Sequence, residues 1–131
     1  MGTTATNQRT SWAWTVAIGG GALLWILTAV IGGRREAWDA SLYWTLAYPL
    51  SIALAGGLGY WFPAKPWRWG LAVMLAQAVV LVFSGSDFGL LPLGLVAFSI
   101  LALPAIGLAA LMAKFRLRPG KPEPECTSRE P

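Results

Sequence analysis

Residues 90–113 read LLPLGLVAFSILALPAIGLAALMA, an apolar run without a single charged side chain. As an α-helix rising 1.5 Å per residue it would extend about 36 Å, more than the roughly 30 Å hydrocarbon core of a bilayer. The run reads as a membrane span. Moving toward the N-terminus, three similar runs follow, at about 69–84, 42–62 and 12–33, and between Ser11 and Ala113 the only charges are Arg34, Arg35, Glu36, Asp39, Lys65, Arg68 and Asp87. Apolar residues make up 56% of the 131 and charged residues 12%, about half the charge of a soluble domain. The fold expected is therefore an all-α integral membrane four-helix bundle with spans at about 12–33, 42–62, 69–84 and 90–113, preceded by a short segment 1–11.

The third run is the short one. Its length of about 24 Å leaves it several ångströms below the core thickness, so the following SGSDFG, residues 84–89, is expected to sink into the interface. Residues 115–131 are Pro-rich and charged, with too few apolar side chains to fold, and read as a disordered tail. The first run exceeds the usual apolar stretch of a signal peptide and has no A-x-A site before Arg34, so it reads as a retained helix.

Orientation follows from the cations. With four spans, Arg9, Lys65, Arg68, Lys114, Arg116, Arg118, Lys121 and Arg129 share one side, against only Arg34 and Arg35 on the other. Positive loops stay cytoplasmic, which puts both termini inside and Glu36, Asp39 and Asp87 outside. The terse loops suit a bacterial inner membrane. WFPAKPWRWG, residues 61–70, then becomes the cytoplasmic turn between the second and third helices: Pro63 and Pro66 break the helix. Trp61, Trp67 and Trp69, with Lys65 and Arg68, are read as interface anchors among lipid headgroups. Trp12 and Trp14 join that belt, Trp38, Tyr43 and Trp44 form the outer one, and Trp25 lies deep.

Small residues at intervals of four offer helix-packing seams. They are Ala13, Ala17 and Gly21 in the first helix, Ser51, Ala55 and Gly59 in the second, Ala72 and Ala76 in the third, and Ala105, Ala109 and Ala113 in the fourth. They serve either one bundle or a contact with another copy or subunit. Pro49 and Pro104 remove backbone donors within spans and free the carbonyls of Thr45 and Ile100; Pro92 suits a helix start.

Few residues could carry chemistry. Asp87 is either a loop or capping aspartate or an acid near lipid paired with Arg34 or Arg35. Asp39 is spaced to pair with Arg35 or to cap the second helix. Gln77, the amide deep in a span, is expected to hydrogen-bond between helices. There is no histidine, and the lone cysteine, Cys126, lies in the tail. No Ser/His/Asp set, phosphate-binding loop or metal-ligand cluster is found, so neither an enzyme nor a cofactor is expected. In size and span plan the chain resembles small multidrug-resistance transporters and small fluoride channels, but it lacks the embedded glutamate of the former and the Asn- and Phe-bearing motifs of the latter. The functional expectation is a non-enzymatic membrane protein, surrounded by lipid and acting by helix association as a homo-oligomer or accessory subunit, without nucleic acid. The alternative is a small transporter or channel for an ion or small solute.

Overall fold

A computed structural model describes residues 3–33, 40–84, 89, 91–118 and 120. Four helices and no strand are present among them: α1 (Thr3–Gly32), α2 (Tyr48–Trp61, entered through a π-helical turn at Tyr43–Ala47), α3 (Trp67–Phe83) and α4 (Leu91–Leu117). Two of these, α1 and α4, are each long and apolar enough to cross a membrane, and α3 is a shorter apolar helix.

Helix α1 begins at Thr3, well before the expected span start at Trp12. Once a helix is nucleated in an apolar run, adding a further residue costs little, and propagation carries it outward through polar sequence. The hydroxyls of Thr10, Ser11 and Thr15 fold back onto the carbonyls of Thr6, Asn7 and Ser11 at 3.0–3.1 Å. At the other end of the chain α4 runs on to Leu117, past the expected limit at Ala113, with Lys114 and Arg116 in its last turn. Cations there complement the partial negative charge of the helix C-terminus.

The contacts fix the arrangement. Ala13 and Ala17 meet Trp69, Ala72 and Val73, and Trp25 meets Ala78 and Leu81, so α1 and α3 run parallel. Tyr48 reaches Leu101, and a side chain at Gly56 would meet Leu108, so α2 and α4 are parallel too. Gly70 lies against Ala105 while Ala78 packs with Phe98, which makes α3 and α4 antiparallel. The backbones of α1 and α4 stay apart on a diagonal. The Trp25 and Phe98 rings, 5.5 Å between centroids, bridge it.

Backbone approach is closest where the small residues stand. A Cβ built on Gly21 would lie 2.5 Å from the Val73 carbonyl oxygen, one on Gly59 would collide with the backbone of Ala109, and one on Gly70 would lie 2.6 Å from the Ile106 nitrogen. Ala17, Ala55, Ala105 and Ala109 are buried between helices. In this half of the bundle helices are held by van der Waals contact of backbone on backbone. Toward the other end the interior is filled by rings instead: Trp25, Tyr43 and Phe98 with Ala47, Ala78 and Leu81.

The turn between α2 and α3 breaks where Pro63 and Pro66 stand. Lys65, just before Pro66, takes a left-handed conformation with φ 55°; proline disfavours the right-handed helical region in the residue preceding it, so the helix does not run on through this position. The backbone N–H groups of Arg68 and Trp69 then close back onto Lys65 and Pro66, starting α3.

Candidate functional site

Buried polar side chains meet at Gln77 on α3, to which the π turn brings Tyr43 and α2 brings Ser51. Tyr43 Oη donates to Gln77 Oε1 at 2.9 Å, Gln77 Nε2 donates to Ser51 Oγ at 2.6 Å, and Ser51 Oγ donates to the Ala47 carbonyl at 2.8 Å. Tyr43, Ser51 and Gln77 are all fully buried. Ser51, whose hydroxyl proton is already given to Ala47, can only accept from Gln77, which fixes which way the amide faces.

The π turn makes the chain of bonds possible. In an unbroken α-helix Tyr43 and Ser51, eight positions apart, would point about 80° apart. A π turn takes up one extra residue, roughly 100° of rotation, and returns the two side chains to nearly one face. Its wide hydrogen bond runs from the Tyr48 N–H to the Tyr43 carbonyl. Pro49 cannot donate the next bond in that series, so the wide turn ends there and regular helix resumes. The consequence of Pro49 is thus a change of helical register, beyond the freed Thr45 carbonyl that sequence suggests. Near Pro104 the helix continues, and Tyr48 Oη donates to the carbonyl of Leu101 at 3.2 Å, one residue beyond the carbonyl that Pro104 cannot serve.

Two aromatic residues lie elsewhere than expected. Tyr43, read as an outer-belt residue, turns inward, its ring edge-on to Trp25 at 5.6 Å. Trp69, read as an interface anchor, is 2% exposed; its Nε1 donates to the Phe62 carbonyl at 3.1 Å, and Trp14 and Phe62 pack on its ring at 5.2 and 5.6 Å. The reason is helical phase: Trp69 falls on the same face as the buried Ala72, Val73 and Ala76, whereas Trp61 and Trp67 are at least half exposed. Gln77 is where the sequence put it, between helices. Arg34, Arg35, Asp39 and Asp87 lie outside the described residues.

At the end of the bundle holding Trp69, cations from three elements converge: Arg9 on α1, Lys65 and Arg68 in and after the turn, and Lys114, Arg116 and Arg118 at the end of α4. No aspartate or glutamate occurs among the described residues. The Arg68 guanidinium lies 4.9 Å above the Trp14 ring and 5.9 Å from that of Trp69. Arg116 lies over Tyr60 at 5.4 Å and donates through Nη1 to its carbonyl at 3.3 Å. No cluster of side chains able to hold a metal ion stands among the described residues.

Comparisons with protein-family models, with curated proteins and with solved structures find no match for this chain.

Proposed function

We propose that the chain is a four-span membrane protein with both termini in the cytoplasm, and that it works by associating with other membrane helices, as a homo-oligomer or an accessory subunit, rather than as an enzyme. The inverted distribution of polarity carries this reading. Gln77 and Ser51 are buried, while Val30, Ile31, Phe83 and Leu103 are each more than 60% exposed, and every helix presents further large apolar side chains outward. In water such faces would be driven together; in lipid they are solvated, and the polar groups belong inside.

Association is supported by how the small residues divide. Gly21, Gly59 and Gly70 are used up in contacts within the bundle, but nothing stands within 4 Å of a Cβ at Gly19 or Gly107, and backbone open to lipid is where another helix can come close. Native mass spectrometry of the protein released from lipid nanodiscs tests it. Species of two or more copies, or a stoichiometric complex with one other membrane protein, are expected; a monomer at every concentration overturns the proposal.

A second reading, a small transporter or channel, is favoured by the π turn lying against a buried amide, since such turns are frequent at functional sites. Ion flux into liposomes holding the protein, abolished by Gln77→Leu, would support it. Flux no greater than in protein-free vesicles would remove it.

A further inference from the structure

Arg68, Ala72, Ala76 and Val79 follow one another along a single stripe of α3, and Trp14, Ile18 and Ala22 do so along α1. Between the two stripes lies a groove of about 290 Å³, lined almost wholly by apolar atoms. The small side chains of Ala22, Ala72 and Ala76 make its floor, Ile18 and Val79 stand at its rim, and Trp14 ends it. Directly over Trp14 sits the Arg68 guanidinium. We infer that this groove is a phospholipid site, in which one acyl chain lies between α1 and α3 and an anionic phosphate headgroup is held by Arg68. The inference rests on the membrane reading above and adds a ligand to it.

Three features agree on that occupant. The first is length: from Arg68 to Val79 is about 16 Å along the helix, close to half of the roughly 30 Å hydrocarbon core, which is the depth of one leaflet. The second is the chemistry of the mouth. A guanidinium held over an indole keeps its charge and its fork of N–H donors, which can grip two phosphate oxygens at once. The Arg68 guanidinium stands between the Trp14 and Trp69 rings, 4.9 and 5.9 Å from their centroids. The third is charge. Lys65, three residues earlier, and Arg9 on α1 add two further cations at the same end, which favours an anionic headgroup over a zwitterionic one. Arg116, over the Tyr60 ring, differs, because one of its donors is already taken by the Tyr60 carbonyl.

The experiment is native mass spectrometry of the full chain in mild detergent, titrated separately with phosphatidylglycerol and phosphatidylcholine. The parent should retain one phosphatidylglycerol preferentially. Arg68→Gln should weaken that retention about fivefold, the effect of about 1 kcal/mol for one basic residue near an anionic lipid, whereas Arg116→Gln, an equal loss of charge at the same end, should leave it unchanged. Ala22→Leu, which fills the groove and leaves the guanidinium alone, should weaken retention of the same lipid. Equal losses for Arg68→Gln and Arg116→Gln would mean diffuse attraction and overturn the site, as would displacement of the lipid by millimolar inorganic phosphate. If Arg68→Gln melts early, Ala22→Leu decides: undiminished retention overturns the proposal. A chain that stays dispersed without detergent and retains neither lipid would instead overturn the membrane reading itself.

Discussion

Gln77 has no exposed surface, and its amide accepts from the Tyr43 hydroxyl and donates to that of Ser51. A buried hydroxyl that loses its acceptor costs about 1–3 kcal/mol, while replacing both partners by apolar groups of similar shape is nearly neutral. Gln77→Leu strands the Tyr43 hydroxyl, and should destabilise the protein by about that amount. Tyr43→Phe removes the stranded group, so the double variant should lose clearly less than the two single losses added. Thermal unfolding in detergent, run as a double-mutant cycle, checks this, and strict additivity would show that the 2.9 Å bond between Tyr43 and Gln77 contributes nothing. Gln77 was legible in the sequence as the amide deep in an apolar run. Tyr43 was not, because aromatic residues near the end of a span suit the interface on composition alone. The seam of Ser51, Ala55 and Gly59 does not reveal it either, since eight positions before Ser51 an unbroken helix is about 80° out of phase and only the π turn restores the shared face.

At the scale of the helices, glycine positions that look alike in sequence differ in what faces them. A methyl group on Gly59 would collide with the backbone of Ala109, and a backbone cannot rotate away, so α2 and α4 must separate. Gly59→Ala should therefore cost about 1–3 kcal/mol, as overpacking does. Gly57 lies two residues earlier on the same helix, and a methyl there meets only the Trp61 ring at 3.9 Å, an ordinary contact. Since alanine favours helix over glycine by about 1 kcal/mol, Gly57→Ala should be neutral or stabilising. Denaturation of the two variants side by side is the check, and similar losses in both would contradict the packing described. The existence of the helices was readable from uncharged runs, and many inward faces from intervals of four. Phase was harder: within a span almost every residue is apolar, so periodicity hardly distinguishes inside from outside, and Trp69 was assigned to lipid headgroups while it fills the interior. The π turn left no mark except Pro49, because what it accompanies is a contact with another helix, the bonds of Tyr43 and Ser51 to the Gln77 amide.

At the scale of the whole molecule, the cations of the described residues gather at one end. Arg68 lies over Trp14 and Arg116 over Tyr60, which brings the start of α1, the turn after α2 and the end of α4 together, while Ser41 lies beyond the ring layer of Trp25, Tyr43 and Phe98 at the opposite end. Cations near span ends resist translocation and are held by the anionic inner leaflet, so the end bearing Arg68 should face the cytoplasm. Single cysteines at Ser41 and Ala64, both exposed, in a Cys126→Ser background report the two ends separately. A membrane-impermeant maleimide added to intact cells or spheroplasts should label Ser41→Cys at once and Ala64→Cys only after permeabilisation. Labelling in the reverse order would invert the topology and move the Arg68 groove to the outer leaflet. Labelling of both positions before permeabilisation, in cells whose cytoplasmic controls stay unlabelled, would place both ends outside and overturn the four-span reading.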